Sequence, residues 1–178
     1  MLCIRPLLTT DQEYLWTWLQ HSLWDPPPAP LRAREVLERP EVRILVEHWG
    51  RPGDVGVVAE VDNRDVGGCW MRRFTNGAGP AWIDYQTPQL GIALLPEYRH
   101  MGYGQTLLMT ALHIAREAGY RQVALSVHPA NPAVALCERS GFEAIGERQG
   151  YRLMLARLAP LEHPALQQGN VLPNVVRH

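Results

Sequence analysis

LGIALLPEYRHMGYGQTLLMTALHIAREAG, residues 90–119, combines an apolar run, a loop with two glycines and an amphipathic segment. The apolar run from 89 to 95 has no polar face, so it predicts a strand that is covered on both sides. Residues 105–119 place apolar side chains on one stripe, which predicts a helix. Gly102 and Gly104 stand where that helix begins.

These two glycines indicate an anion-binding loop. Glycine in this position costs backbone entropy that alanine would not. The first N–H groups of a helix lack intrahelical partners and carry partial positive charge, so a diphosphate can bind to them. Arg99 and His100 would add a cation and a hydrogen-bond donor. The pattern R-x-x-G-x-G lacks the third glycine of the Rossmann fingerprint and the Gly-Lys-Ser/Thr of a Walker loop.

The C-terminal half predicts a mixed sheet. Residues 120–127 form another buried run, so residues 89–127 predict a strand–helix–strand unit with roughly parallel strands. A short helix follows with Asn131 as its N-cap. Residues 142–158 predict a hairpin that turns at Gln149-Gly150. The other strands are expected to be antiparallel, which makes the fold class α+β.

The N-terminal half predicts further strands and two helices. The expected strands are residues 2–8, 42–49, 54–62 and 66–74, and the expected helices are 9–24 and 31–40. A capping box of Thr10 and Glu13 is expected to start the first helix.

Composition fits one domain, residues 1–159, followed by an extension over 160–178. The 178 residues are 46% hydrophobic, which is enough for a core, and the net charge of −1 predicts no affinity for nucleic acid or an anionic membrane. The apolar runs fall short of the ~20 residues of a membrane helix. Three widely spaced cysteines favour a reducing cytoplasm, and the histidines show no spacing typical of a metal site.

Residues 89–158 resemble the GNAT superfamily of acetyl-CoA-dependent N-acetyltransferases. The matching features are the strand ending in Leu95-Pro96, the R-x-x-G-x-G loop that follows Glu97-Tyr98, Asn131, and A-x-x-L-x-x-x-x-G-F over 133–142. The resemblance implies a three-layer α/β/α fold with a central mixed, mostly antiparallel sheet.

The resemblance also implies acetyl-CoA as co-substrate and assigns its contacts. The main chain of Ile92, Ala93 and Leu94 would pair with the pantetheine arm, with the Leu94 amide facing the thioester oxygen. Asn131 would reach the same arm. The pyrophosphate would lie on the loop and helix start, which comprise Arg99, His100, Gly102, Tyr103, Gly104 and Gln105.

Amide formation requires a neutral amine, and a lysine-like amine with a pKa of about 10.4 is almost fully protonated at neutral pH. A base is therefore expected. Asp84 is the favoured candidate because Trp82 and Tyr85 flank it and could raise its pKa. Glu60 and Glu97 are the alternatives.

The chain departs from the family pattern at Cys137, where a tyrosine commonly protonates the leaving thiolate. Cys137 is a candidate acid because a thiol has a pKa near 8.5, close to that of the leaving group. It is also a candidate packing residue, in which case water or Tyr98, Tyr103 or Tyr151 would supply the proton.

The resemblance implies an N-acetyltransferase that acts on a primary amine of a small molecule or peptide by direct attack in a ternary complex. A catalytically weak acyl-CoA-binding module is the alternative, and a plain nucleotide-binding domain is disfavoured by the glycine pattern. Trp16 and Trp18 point to opposite sides of the first helix, beside which the family places its acceptor. A homodimer is also expected.

Overall fold

The computed structural model describes residues 1–161, which form seven strands and four α-helices. The strands are β1 (Leu2–Pro6), β2 (Val55–Val61), β3 (Arg64–Arg72), β4 (Gln89–Leu94), β5 (Gln122–Val127), β6 (Phe142–Arg148) and β7 (Tyr151–Arg157). The helices are α1 (Gln12–Ser22), α2 (Pro40–Arg43), α3 (Tyr103–Glu117) and α4 (Ala133–Arg139). Three 3-10 turns cover Thr9–Asp11, Arg34–Glu38 and Pro96–Tyr98. Most of the extension expected at 160–178 lies outside the described residues.

One sheet contains all seven strands in the order β1-β2-β3-β4-β5-β7-β6. Every neighbouring pair is antiparallel except β4 and β5, which are parallel and joined through α3. The prediction of a mixed, mostly antiparallel sheet with one strand–helix–strand unit is therefore confirmed. The closing hairpin turns at Gln149 and Gly150, as expected.

Helices cover both faces of the sheet, which gives the expected three layers. On one face, α3 and α4 pack through a core that includes Leu107, Leu108 and Ala111. On the other face, α1 and the segment from 36 to 49 pack against β3 and β4. No helix within residues 1–161 is both long and apolar enough to cross a membrane.

The strand expected at 42–49 is wrong, because this segment forms the end of α2 and a series of turns. The cause is the buried guanidinium of Arg72, which donates to the carbonyl oxygens of Ile44 at 3.0 Å and Glu47 at 2.7 Å. Arg72 also pairs with the buried carboxylate of Asp54 at 2.7 Å. The amides of Leu45 and Val46 donate locally, to the carbonyl oxygens of Val42 at 3.1 Å and Arg43 at 3.2 Å, so the segment closes into turns instead of pairing in the sheet.

The capping box expected at Thr10 and Glu13 is also wrong. Asp11 holds the N-cap position of α1, and no side chain caps that helix. The Asp11 carboxylate instead accepts hydrogen bonds from the Leu8 amide at 2.8 Å and from Arg5 at 2.9 Å. The preceding 3-10 turn moves the helix start to Gln12.

Candidate active site

β4 and β5 separate soon after they begin. They are paired at one position, Gln89 opposite Ala124. Beyond it, β4 follows β3 as far as Leu94, while β5 follows β7 as far as Val127. A gap therefore opens between the two strands toward their C-terminal ends.

Two amides of β4 face this gap. The amide of Leu95 donates to the Val66 carbonyl of β3 at 2.8 Å. Successive N–H groups of a strand point to opposite edges, so the amides of Leu94 and Ile92 point away from β3. The amide of Ala93 points toward β3. A strand edge with unpaired main-chain groups can accept an extended ligand as an additional strand.

The start of α3 provides further unpaired donors. Gly102 is the N-cap residue with a φ of 81°, a left-handed conformation that favours glycine, and no side chain caps the helix. The first helical bond is donated by Thr106 to the Gly102 carbonyl. The amides of Tyr103, Gly104 and Gln105 therefore lack intrahelical partners and carry the positive end of the helix dipole.

Gly104 serves a different purpose from Gly102. A Cβ at Gly104 would lie 3.3 Å from the side chain of Leu136 and 3.7 Å from that of Leu94. The absence of a side chain at Gly104 therefore allows the start of α3 to approach α4 and β4 closely. This contact places the unpaired amides of α3 near the open end of the gap.

The Arg99 side chain turns back toward the sheet. Its Nε donates to the Leu94 carbonyl oxygen at 2.9 Å, and burial lowers the pKa of the guanidinium. Arg99 thus fixes the end of β4 in addition to placing a cation there. His100 is exposed with a φ of 62°.

A cavity of about 770 Å³ adjoins the gap. Gly91 and Ile92 of β4, Leu125 to Val127 of β5 and the following His128 contribute to its wall. Further parts of the wall come from Trp70 of β3, the end of α1, the segments 32–45 and 74–82, α4, and the β6–β7 turn. The cavity thus joins the two diverging strands to residues from the whole length of the domain.

The model of the acetyltransferase (GNAT) family matches residues 15–142. The chain belongs to the GNAT family. It is 35% identical over 150 residues to the "putative ribosomal protein bS18-alanine N-acetyltransferase" of Bacillus subtilis, with 83% of this chain and 85% of that protein covered.

Solved GNAT structures share the fold. The PaiA N-acetyltransferase of Thermoplasma acidophilum, solved with coenzyme A, has a TM-score of 0.64 and 21% identity, covering 89% of this chain and 99% of that one. The ribosomal-protein-alanine N-acetyltransferase of Brucella melitensis has a TM-score of 0.63 and 21% identity, covering 88% and 99%. The chain is a GNAT N-acetyltransferase with acetyl-CoA as its co-substrate. The open β4 edge and the unpaired amides of α3 fit that molecule.

The three expected bases of this GNAT enzyme lie outside the cavity lining. Glu60 is 3.8 Å from Arg5 at the β1–β2 edge, and Glu97 is exposed and 3.6 Å from Arg64. Asp84 accepts hydrogen bonds from the amides of Gln86 and Thr87, each at 2.8 Å. Sequence reasoning placed Asp84 correctly in the loop before β4 but could not show where its carboxylate points.

The expected rise in the pKa of Asp84 is wrong. Partial burial does favour the protonated carboxyl. The hydrogen bonds from the Thr87 hydroxyl, the Gln86 amide and the Thr87 amide outweigh it, however, and lower the pKa. Tyr85 is exposed, so it does not desolvate the carboxylate. The local turn thus favours the charged form of Asp84.

Cys137 lines the cavity from α4 and is only 2% exposed. Burial, reinforced by the charge of Glu138, raises its pKa to about 11. Its side chain belongs to the apolar cluster that also contains Cys69. At neutral pH the group is a neutral thiol.

Asn131 also lines the cavity, and its Oδ1 accepts the Ala133 amide at 2.9 Å. This bond satisfies the first amide of α4, but Pro132, not the predicted Asn131, holds the N-cap position, and the helix begins at Ala133. Of the three alternative tyrosine donors, Tyr151 lines the cavity, whereas Tyr98 and Tyr103 do not. Tyr151 contacts Arg32, whose pKa is raised first by Asp25 and then by this tyrosine.

Trp16 and Trp18 do not line the cavity either. Trp18 is buried against β3, where a Cβ at Gly68 would lie 2.6 Å from its ring. Trp16 is stacked under Arg43, 5.7 Å from the guanidinium carbon to the ring centre. Other tryptophans of the chain, Trp24, Trp70 and Trp82, line the cavity in their place.

His128 stands in an aromatic wall of the cavity that the sequence did not reveal. Its ring centre is 5.4 Å from that of Trp24 and 5.7 Å from that of Tyr151. Its Nδ1 accepts the Ala130 amide at 3.0 Å, which assigns the proton of the neutral ring to Nε2. His128 is therefore held as a hydrogen-bond donor and is unsuited to remove a proton through Nδ1.

Sequence reasoning also missed the charged residues of the cavity. These are Arg32, Arg39, Glu41 and Arg148. Within residues 1–161, Glu41 is the one carboxylate that lines the cavity. No local pattern distinguishes these residues from ordinary surface charges, because they come from distant parts of the chain that share only the wall of the cavity.

Proposed function

We propose that this GNAT enzyme acetylates a primary amine, held in the cavity, by direct attack on acetyl-CoA in a ternary complex. The observation that carries the proposal is the junction between the gap and the cavity. The amides of Ile92 and Leu94 face the gap, and Gly91 and Ile92 also line the cavity. An acyl donor in the gap and an amine in the cavity would therefore meet beside β4.

The donor-binding roles follow from this placement. The amides of Tyr103, Gly104 and Gln105 suit the pyrophosphate, and Gly102 leaves their approach open, since a Cβ there would meet nothing within 4 Å. His100 lies on the same exposed loop and Arg99 adds positive charge behind it. The pantetheine arm would run along Ile92, Ala93 and Leu94, with Asn131 across the gap.

The transfer forms a C–N bond and breaks the C–S bond of the thioester. The amide of Leu94 would stabilise the negative charge that develops on the carbonyl oxygen. The amine must lose a proton, and we assign its removal to Glu41, acting through water. Glu41 replaces Asp84 in this role because Asp84 lies outside the cavity and is occupied by its own turn.

Direct attack is supported by the state of Cys137. An acyl-enzyme route would need a thiolate in the cavity, because the thiolate is the reactive nucleophile. Burial keeps Cys137 protonated, with a pKa of about 11. The departing thiolate would take its proton from water or from Tyr151, which also lines the cavity.

The acceptor is a primary amine of a small molecule or a peptide. A cavity of about 770 Å³ has room for either an amino acid or the end of a chain. The Bacillus subtilis relative is named for an alanine of a ribosomal protein, which supports a peptide N-terminus as one candidate. The three free cysteines support a cytoplasmic location. The homodimer stays a prediction that sedimentation can decide.

Initial-rate kinetics test the proposal. Acetyl-CoA and an amine are varied together, and release of free thiol is followed. Intersecting lines in the double-reciprocal plot are expected for a ternary complex. Parallel lines, together with an acetyl group on Cys137 found by mass spectrometry in the absence of amine, would refute direct attack.

A further inference from the structure

The walls of the acceptor cavity carry more positive than negative charge. Three arginines, Arg32, Arg39 and Arg148, line it against the single carboxylate of Glu41. Arg32 is neutralised by Asp25, to which its Nε and one terminal nitrogen each donate at 2.7 Å. Two guanidinium groups therefore remain to be balanced by one carboxylate.

Neither remaining arginine has an acidic partner in the described part of the chain. Arg39 and Arg148 form no ion pair within 4 Å there. Arg148 donates to the carbonyl oxygens of Trp82 at 3.0 Å and Pro80 at 3.5 Å, so it also holds the loop 74–82. The Arg39 side chain makes no hydrogen bond within residues 1–161, which leaves all its donors available.

The main chain holds Arg39 firmly at the cavity wall. Its carbonyl oxygen accepts the amides of Val42 at 3.0 Å and Arg43 at 2.9 Å, and its own amide donates to Val36 at 3.2 Å. Val36 and Val42 are buried and line the cavity on either side of it. The backbone of Arg39 is thus fixed at the cavity wall, while its exposed guanidinium has no protein partner within residues 1–161 and can turn toward a ligand.

We propose that the acceptor of this enzyme is an amine that also carries an anionic group, which Arg39 binds with support from Arg148. The proposal rests on the proposed function of the same cavity. A free amine is itself cationic, so a positively charged cavity disfavours polyamines and favours an acceptor whose acidic group compensates. Glu41, two residues from Arg39, would face the ammonium, and the two charges together suit an α-amino acid or an acidic peptide end.

The aromatic walls suggest the form of the test acceptors. Trp24, Trp70 and Trp82 line the cavity beside the charges, so apolar bodies are accommodated. Three matched pairs are used: L-phenylalanine and its amide, L-glutamine and its α-amide, and the peptide amides Ala-Asp-Ala and Ala-Lys-Ala. The first two pairs test free amino acids and the third tests a peptide source of the same charge.

The variant Arg39→Gln is measured with each pair, and Arg34→Gln is the control. Arg34 is exposed on the adjoining 3-10 turn and does not line the cavity. Loss of one charge-assisted contact is expected to raise KM for the more acidic member about tenfold. The KM for the other member and for acetyl-CoA should stay within about twofold, as should every constant of Arg34→Gln.

For each acceptor, the KM of the variant is divided by that of the wild type. This ratio is independent of the different basicities of the amines. Equal effects of Arg39→Gln on both members of every pair would overturn the inference while leaving the N-acetyltransferase intact. So would failure of every acidic member to be acetylated by protein that binds acetyl-CoA. Absence of acetyl-CoA binding, by contrast, would refute the proposed function itself.

Discussion

The variant Cys137→Ala tests whether the thiol of Cys137 packs in the core or acts as the catalytic acid. The pKa of Cys137 is raised to about 11 by burial, whereas the leaving thiol has the ordinary value of about 8.5. Transfer of a proton from Cys137 to that thiolate is therefore uphill by about 2.5 pKa units, or ~3.4 kcal/mol. A proton donor with this deficit would slow the step by up to about 300-fold relative to a matched acid.

We therefore expect Cys137→Ala to keep kcat within about threefold of wild type. The side chain is only 2% exposed and belongs to the core between α4 and the sheet. Removing its sulfur should lower the free energy of unfolding by ~1 kcal/mol through the small cavity that remains. Cys69→Ala is the matched control, because Cys69 is a fully buried thiol of the same cluster that does not line the cavity.

Both variants are assayed by release of free thiol from pH 6 to 10 and by denaturant unfolding. Similar stability losses and nearly wild-type rates for both would support a packing role. A fall in kcat of about two orders of magnitude for Cys137→Ala alone, with loss of an alkaline limb in the pH–rate profile, would refute the reasoning and identify Cys137 as the acid. Cys137→Tyr adds a converse test, because a phenol at this position could raise the rate.

Three further outcomes are expected. Gly104→Glu should abolish stabilisation by acetyl-CoA in a thermal-shift assay, because it puts a negative charge among the amides of α3. Gly104→Gln is the control, since it brings the same Cβ within 3.3 Å of the Leu136 side chain without the charge, and it should retain more of the stabilisation. Asp84→Asn should leave kcat/KM within about threefold and lower Tm by about 2–4 °C at pH 7. Because the folded pKa of Asp84 is lowered, that stabilisation exists above the ordinary pKa of about 3.9 and is lost as pH falls below it, so the Tm difference should shrink toward pH 3. A hundredfold loss of activity in Asp84→Asn would restore it as the base. Glu41→Gln should reduce kcat/KM about 100-fold with little change in KM for acetyl-CoA, and a nearly wild-type value would eliminate it.

Local signals explain which parts of the fold could be predicted. β4, α3 and β5 were predictable because a doubly covered strand, an amphipathic helix and a glycine N-cap each leave a short-range pattern. The segment 42–49 was not, because its conformation depends on Arg72, which reaches it from β3. Its valines and isoleucine favour a strand in isolation, and a tertiary contact overrides them.

The acetyl-CoA side and the amine side of the candidate site also differ in how far local sequence patterns predict them. The expected contacts to acetyl-CoA use main-chain groups of contiguous segments, so the motif locates them together. The proposed acceptor side is formed by side chains from distant segments, such as Glu41 and Tyr151, which no spacing rule connects. Asp84 was favoured from its aromatic neighbours in sequence, but Tyr85 points to solvent and the carboxylate binds its own loop.

This division has a physical consequence for specificity. The proposed binding of acetyl-CoA depends on backbone geometry, namely the divergence of β4 from β5 and the left-handed N-cap of α3. Many different sequences can form these two backbone features. The acceptor cavity depends on where individual side chains are held. Arg72 fixes the segment next to α2, and Gln89 holds the loop 74–82 by accepting the Ala81 amide at 2.9 Å and donating to Ala78 at 2.8 Å. Arg39 and Glu41 thus stand on a segment that can change charge without disturbing the proposed donor site, so we expect the acceptor preference of this enzyme to be set by residues outside its recognisable motifs.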